Sequence, residues 1–118
     1  MQRLMLKSKI HRATLTGTEI DYEGSIAIDS ELLKRADILP GEQVHVLNVN
    51  NGSRLVTYAI SAEAFSGTVM LNGPAARLGA PGDIVVIISY GILPDQELGS
   101  YSSRVIFVDG KNKPVMEK

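Results

Sequence analysis

The 118-residue chain has no cysteine and no tryptophan, and aromatic residues make up only 5% of it. Without cysteine, disulfides, thiolate metal ligands and a cysteine nucleophile are excluded. The two histidines, His11 and His45, are too few for a multi-histidine metal site, so we expect no metal. No apolar run reaches the roughly 18 residues of a membrane span, and the first residues lack the apolar core of a signal peptide. We therefore expect a cytoplasmic protein with no membrane partner.

The charges nearly cancel, since 12 basic residues stand against 13 acidic ones and the net charge is −1. A sequence pI of about 6.1 and aromatic residues that are not interleaved with basic ones give no reason to expect a nucleic-acid partner. Hydrophobic residues make up 44% of the chain, which is typical of a globular protein. The length predicts a single domain over residues 1–118.

The first 15 residues are rich in positive charge and contain no acid. The basic side chains are Arg3, Lys7, Lys9 and Arg12, with His11 among them. This segment is either a solvated edge strand or one wall of an anion-binding site, and charge alone favours the solvated edge.

The pattern of apolar residues is mainly that of β-strands. Asn51-Gly52 is a strong hairpin signal, so we expect 43–49 to pair with 53–60. Asp29 is expected to cap a short helix over 30–36. The remaining predicted strands are 4–17, 25–28, 68–72, 83–90 (central) and 104–108 (the last), with a helical turn over 73–79 and a polar tail over 109–118.

A weak internal repeat relates residues 38–46 to residues 79–87. Both contain Pro-Gly followed by an acid, with a Val two residues after the acid. The two copies are 41 residues apart in the sequence. The repeat predicts a small barrel of two similar halves, although Pro-Gly-acid before a strand is also common turn chemistry.

Gly24-Ser25 is the first candidate for chemistry. The Ser25 hydroxyl can attack the carbonyl of Gly24 and move the acyl group from nitrogen to oxygen. Elimination from that ester and hydrolysis would leave a pyruvoyl group at a new N-terminus. An isolated Gly-Ser is far more often a simple turn, so this pair alone carries no catalytic assignment.

Two further segments contain candidate ligand-binding residues. On the strand after Asn51-Gly52, alternation places Arg54, Val56 and Tyr58 on one face, where a guanidinium and a phenol could bind a carboxylate and move a proton. The alternative without a function is that Arg54 is simply solvent-exposed and Tyr58 half-buried. The segment 72–77, Asn-Gly-Pro-Ala-Ala-Arg, could bring backbone N–H groups close to a ligand or could be a plain connector.

Taken together, these segments resemble the pyruvoyl-dependent aspartate 1-decarboxylase family. The resemblance extends to about Pro94, and its order and spacing make it specific. Ile26 stands where some relatives have Cys, and Pro74 where some have Ala. The matching motifs are Met5-Leu6 with Lys9-Ile10-His11-Arg12, Tyr22-Glu23-Gly24-Ser25 with Ala27-Ile28-Asp29, Asn51-Gly52 with Arg54 and Thr57-Tyr58-Ala59-Ile60, Asn72-Gly73 with Ala75-Ala76, and Gly82-Asp83-Ile84-Val85.

The resemblance implies a double-psi β-barrel that matures from a zymogen. Autocatalytic cleavage between Gly24 and Ser25 would give a β chain, 1–24, and an α chain, 25–118, headed by a pyruvoyl group made from Ser25. The family reaction is decarboxylation of L-aspartate to β-alanine for pantothenate biosynthesis. The resemblance also implies a homotetramer with active sites between subunits. Some relatives need a helper protein for maturation, and the sequence leaves this open.

The implied chemistry is a Schiff base between the substrate amine and the pyruvoyl ketone, an electron sink that replaces PLP and needs no metal. Tyr58 is the implied proton donor, and Thr57 assists self-cleavage at Gly24 and Ser25. The remaining implied residues bind substrate or, in the case of Tyr22, orient groups nearby: Lys9, His11, Arg54, Thr57, Asn72, Gly73, Pro74 and Ala75.

Two other interpretations of the sequence remain open. A non-enzymatic barrel used for binding would keep the fold but leave the Gly24–Ser25 bond intact. A nucleic-acid-binding barrel that uses the basic first segment is disfavoured by the pI and by the few aromatic residues.

Overall fold

Strands dominate the computed structural model, which describes residues 1–116. Over that range no helix is both long and apolar enough to cross a membrane. The one α-helix is α1 (Ser30–Ala36), and 3₁₀ helices span Gly73–Leu78 and Asp95–Ser100. The strands are β1 (Gln2–Thr14), β2 (Gly17–Glu19), β3 (Ser25–Asp29), β4 (Gln43–Asn48), β5 (Arg54–Ala62), β6 (Val69–Asn72), β7 (Ile84–Pro94), β8 (Arg104–Val108) and β9 (Pro114–Val115).

The strands form one sheet in the order β2-β6-β3-β5-β4-β7-β1-β8-β9. The chain between β1 and β2 ties both sides of the sheet together, because Leu15 N–H donates to Asp83 O and Thr16 N–H to Val69 O, each at 2.8 Å. The core lies inside this closed sheet. Most of it is built from aliphatic side chains on alternating strand positions, and Leu15 from the β1–β2 connection and Leu32 from α1 complete it. The strand residues are Ile10, Ile26, Ile28, Val44, Val46, Val69, Leu71, Val85 and Ile87.

The two copies of the sequence repeat form the same turn. Gly41 and Gly82 have left-handed backbones, with φ of 91° and 94°. The acid after each glycine, Glu42 or Asp83, accepts a hydrogen bond at 3.0 Å from the backbone N–H three residues before it. The two turns therefore lead into β4 and β7 with the same backbone geometry and the same hydrogen bond.

Equivalent residues of the repeat then meet across the sheet. Strands β4 and β7 are antiparallel, and Val46 lies opposite Ile87. These two positions are 41 residues apart, as the repeat requires, so an approximate twofold axis passes between them. This pairing agrees with the predicted barrel of two similar halves.

The local predictions at the hairpin and the helix are confirmed. Strands β4 and β5 pair with Leu47 opposite Arg54, across the turn at Asn51-Gly52. Asp29 caps α1 by accepting a hydrogen bond from Glu31 N–H at 2.9 Å. Strand β1 is irregular, with register shifts that include one between Ile10 and Ala13.

The strand predicted over residues 104–108 is confirmed as β8, but the prediction that it is the last strand is wrong. The chain turns at Asp109 and returns as β9, antiparallel to β8. The backbone N–H groups of Lys113 and Lys111 bond to the Asp109 carboxylate and lower its pKa. The strand was missed because its two residues are too few to show an apolar alternation.

Asn112 fastens this C-terminal segment to the barrel. It is fully buried, with a left-handed backbone (φ 60°). Its side chain accepts from Thr14 N–H and donates to Thr14 O and Gly67 O, each at 2.8 Å. The amide thus replaces a missing strand partner for the end of β1.

We predict that Asn112→Ala destabilises the fold. The change removes three hydrogen bonds and leaves buried backbone groups unpaired, so the free energy of unfolding should fall by about 2–4 kcal/mol. Thermal unfolding at fixed protein concentration measures the effect, with the exposed neighbour Lys111→Ala as the control. Equal melting temperatures for the two variants would contradict this role.

Candidate active site

Ser25 begins β3 and is 1% exposed. Its hydroxyl donates to Glu23 O at 3.2 Å and accepts from Asn72 Nδ2 at 3.1 Å. Asn72 lies opposite Ser25 in the antiparallel pair of β3 and β6. The Asn72 Oδ1 atom is buried and has no hydrogen-bond partner among the described residues. A buried acceptor without a donor is costly, so it marks a place where a further N–H or O–H group would be stabilised.

Gly73 is packed against the backbone just before Ser25. A Cβ atom at Gly73 would lie 2.7 Å from both Cα and N of Gly24 and 2.8 Å from Tyr22 O. The glycine also has a left-handed backbone, with φ of 66°. Only glycine satisfies both conditions, so this residue sets how closely the end of β6 approaches the Gly24–Ser25 bond.

A cavity of about 420 Å³ opens beside this bond. Its wall includes the Gly24 backbone and two hydroxyl-bearing residues, Thr57 and Tyr58. The register of β3 against β5 pairs Ile26 with Ala59, which places Ser25 one step earlier, alongside Tyr58. The lining residues are Gly24, Leu55, Val56, Thr57, Tyr58, Pro74, Ala75 and Leu78. A volume of this size suits a small metabolite.

The first 3₁₀ helix, which forms one wall of the cavity, is fixed by the turn of the β4–β5 hairpin. The carbonyl oxygen of Leu78 accepts hydrogen bonds from Asn48 Nδ2 (3.3 Å), Asn51 Nδ2 (3.0 Å) and Ser53 Oγ (3.2 Å). Sequence analysis assigned Asn51 only to the turn. Its contact with a segment 27 residues away is tertiary and leaves no local pattern.

The two faces of β5 divide as predicted. Arg54, Val56 and Tyr58 are exposed, whereas Leu55 and Thr57 are partly covered. Arg54 Nη1 lies 3.1 Å from His45 Nδ1 on the neighbouring strand. His45 was not among the predicted site residues, although the hairpin register places it opposite Val56 on this same face.

The structure of one chain does not bring all the predicted residues together. Lys9 and His11 lie on β1, which β5, β4 and β7 separate from β3 within the sheet. Neither lines the cavity beside Gly24. His11 instead contacts the ring of Phe107 edge-on, with ring centroids 5.6 Å apart. Tyr22 is 57% exposed, and its carbonyl oxygen faces Gly73.

Lys9 and Arg54 nevertheless share one face of the sheet. Cross-strand pairing forms the row Lys9, Ile88, His45 and Val56, on the side opposite the core row that contains Ile87. We call the outward positions of β1, β4, β5 and β7 the outer face. Its central positions contain cations and apolar side chains but no carboxylate: Lys9, Gln43, His45, Leu47, Arg54, Val56, Tyr58, Val86, Ile88 and Tyr90.

Comparison with known proteins identifies close relatives over almost the whole chain. The family model described as "Aspartate decarboxylase" matches residues 1–115. The chain is 58% identical to an aspartate 1-decarboxylase of Thermoanaerobacter pseudethanolicus, covering 98% of each protein. It is 57% identical to an aspartate 1-decarboxylase of Moorella thermoacetica, covering 96% of this chain and 88% of that protein.

Among solved structures, the chain resembles the rationally designed protein mkDPBB_sym_86, a double-psi β-barrel. The TM-score is 0.50 at 17% identity, and the match covers 65% of this chain and 90% of the designed one. This likeness concerns the fold alone, and the predicted double-psi β-barrel is confirmed.

We predict that Gly73→Ala destabilises the protein more than Gly41→Ala does. Both glycines have a left-handed backbone, so alanine should cost each variant about 1–2 kcal/mol of strain. At Gly41 no atom lies within 4 Å of the added Cβ, whereas at Gly73 it overlaps Gly24. Thermal unfolding should therefore show a loss at Gly73 that is at least about 2 kcal/mol larger. Equal losses would contradict the close packing described here.

Proposed function

The chain belongs to the aspartate decarboxylase family, and from that membership we infer its reaction: it decarboxylates L-aspartate to β-alanine and CO₂. The family's role is to supply β-alanine for pantothenate synthesis. The single observation that carries this conclusion is the match to relatives over nearly the full chain.

We propose that the cofactor is a pyruvoyl group made from Ser25 by self-cleavage. The Ser25 oxygen adds to the carbonyl carbon of Gly24, the peptide C–N bond breaks, and the nitrogen becomes a free amine. Loss of the Ser25 Cα proton expels the Gly24 carboxylate. Water then replaces the nitrogen, which leaves as ammonia. The products are a β chain, 1–24, and an α chain, 25–118.

The surroundings of Ser25 favour this proposal. The buried hydroxyl is held by Glu23 O and Asn72 Nδ2 beside the bond that must break. Thr57 lines the same cavity as Gly24 and can donate a hydrogen bond to the oxygen that becomes negative during the attack. Because no Cβ stands at Gly73, the end of β6 can lie directly against the Gly24 backbone and hold the bond beside Asn72.

The cavity also fits the mature group and its substrate. A pyruvoyl ketone binds the substrate amine covalently and accepts the electron pair left by CO₂. The unpartnered Asn72 Oδ1 is an acceptor suited to an N–H of that amine. Tyr58, 38% exposed beside Ser25, is placed to return a proton to the substrate carbon. The backbone of Gly73, Pro74 and Ala75 closes the wall behind the substrate.

We further propose a homotetramer whose active sites lie between subunits. L-Aspartate carries two carboxylates, yet the cavity residues of one chain include no cation. The cations Lys9 and Arg54 lie on the outer face instead, and His11 lies farther along β1. Val56 on that face is 55% exposed and apolar, as expected for a surface that another copy covers. Association of two copies would supply the missing cations to the cavity, with Arg54 binding a carboxylate bidentately.

We predict that Ser25→Ala abolishes both cleavage and decarboxylation, because alanine has no oxygen to attack Gly24. Intact mass of the denatured variant should show one uncleaved chain, and CO₂ release from L-aspartate should fall to background. Ser102→Ala, an exposed serine before β8, is the control and should cleave normally. An active Ser25→Ala protein would overturn the pyruvoyl proposal.

We predict that Tyr58→Phe still cleaves but loses turnover. Removal of a proton donor should lower kcat by about 10²- to 10⁴-fold with little change in KM. Intact mass confirms processing, and steady-state kinetics measure the loss. The control is Tyr101→Phe, since Tyr101 lies outside the cavity lining. Normal turnover in Tyr58→Phe would exclude Tyr58 as the donor.

A further inference from the structure

The contact between His45 and Arg54 has no role in the decarboxylation as proposed above. Arg54 Nη1 and His45 Nδ1 are 3.1 Å apart, a hydrogen-bonding distance. The His45 ring in turn meets Tyr90 edge-on, with ring centroids 5.0 Å apart and an interplanar angle of 72°. The imidazole is therefore held from two sides, by the guanidinium on β5 and by the phenol ring on β7.

We propose that His45 is a positioning residue for Arg54, which it orients toward a substrate carboxylate through the lone pair on Nδ1. This inference rests on the proposed function, in which Arg54 binds substrate. The guanidinium has five N–H donors and no acceptor, so one nitrogen can bond to His45 while the others form a fork for a carboxylate. Fixing a long, exposed side chain in advance reduces the entropy that substrate binding must remove.

The protonation state of His45 decides whether this contact is attractive. Arginine cannot accept a hydrogen bond, so Nδ1 must carry a free lone pair and the ring must be neutral with its proton on Nε2. A protonated ring would place a second cation against the guanidinium. Histidine is the side chain that changes charge between about pH 5 and 8.

The groups around His45 offer a protonated ring no compensating charge. From β5 it faces Arg54, from β7 it faces Tyr90, and from β1 Lys9 stands beyond Ile88. On its own strand the next outward residues are Gln43 and Leu47. No carboxylate occupies any of these positions. The contact with Arg54 therefore needs the neutral ring, with Nδ1 as the acceptor.

Two substitutions of His45 distinguish the effect of its hydrogen-bond acceptor from the effect of its aromatic ring. His45→Asn keeps an acceptor, Oδ1, near the position of Nδ1 but cannot be protonated in this range. His45→Phe keeps an aromatic ring against Tyr90 but has no acceptor. With the processed enzymes, we expect KM for L-aspartate to rise about 3- to 10-fold in His45→Phe and less in His45→Asn, with kcat changed little in both. Equal KM values in wild type and His45→Phe would overturn the proposal.

The split between KM and kcat provides the readout that a structural role would not move. A positioning residue should change KM for L-aspartate and leave kcat nearly unchanged in the cleaved enzyme. A fall in kcat as large as the rise in KM would count against His45. Intact mass before each assay ensures that only cleaved protein is compared.

Arg54→Gln distinguishes failure of this inference from failure of the proposed function. If Arg54 binds substrate, Arg54→Gln alone raises KM, and adding His45→Phe to it changes KM no further. If Arg54→Gln leaves KM unchanged, the assignment of Arg54 to the substrate is wrong. If Arg54→Gln raises KM but the effects of the two substitutions multiply independently, His45 does not act through Arg54 and the inference is wrong.

Discussion

The contact between Gly73 and the Tyr22–Gly24 backbone is the constraint on which the candidate site depends. A side chain at Gly73 would overlap Gly24, so the end of β6 can reach β3 only because none is present. That approach pairs Asn72 with Ser25 and brings the Asn72 amide to the Ser25 hydroxyl. It also starts the 3₁₀ helix whose Pro74 and Ala75 form a wall of the cavity. A backbone contact thus fixes both the bond proposed to break and the space that substrate would occupy.

The barrel determines where the cations lie. Equivalent turns at Gly41 and Gly82 lead into β4 and β7, which pair around an approximate twofold axis. The resulting outer face displays Lys9, His45 and Arg54 without an opposing carboxylate. The cavity beside Gly24, by contrast, is lined mostly by apolar side chains and hydroxyls. Val56 and Tyr58 belong to both surfaces, but neither Lys9 nor Arg54 lines the cavity. The proposed association of copies would supply the cations that a substrate with two carboxylates requires.

Local chemistry was enough to predict much of the fold. Asn51-Gly52 predicted the hairpin, Asp29 identified the start of α1, and the Pro-Gly-acid repeat indicated two similar halves. Gly24-Ser25 indicated a catalytic role only in combination with Arg54, Tyr58 and Asn72-Gly73, which follow it in this order along the chain. Among the matched residues, Gly24, Thr57, Tyr58 and Ala75 line one cavity beside Ser25, whereas Arg54 lies outside its lining.

Features stabilised by tertiary contacts could not be predicted in this way. Strand β9 and the anchoring of Asn112 depend on Thr14 and Gly67, which are distant in sequence. The interaction of His45 with Arg54 joins two neighbouring strands and depends on the register of the β4–β5 hairpin, which the Asn51-Gly52 signal alone does not fix. The separation of Lys9 from Ser25 arises from strand order, which alternation along single strands does not reveal.

The most direct test of the account is the intact mass of the purified, denatured wild-type protein. The account predicts two chains: one of residues 1–24, and one of residues 25–118 that is lighter, by the mass of ammonia, than the same chain with an N-terminal serine. A single uncleaved chain that nevertheless releases CO₂ from L-aspartate would contradict it, because decarboxylation would then proceed without the group proposed to arise from Ser25.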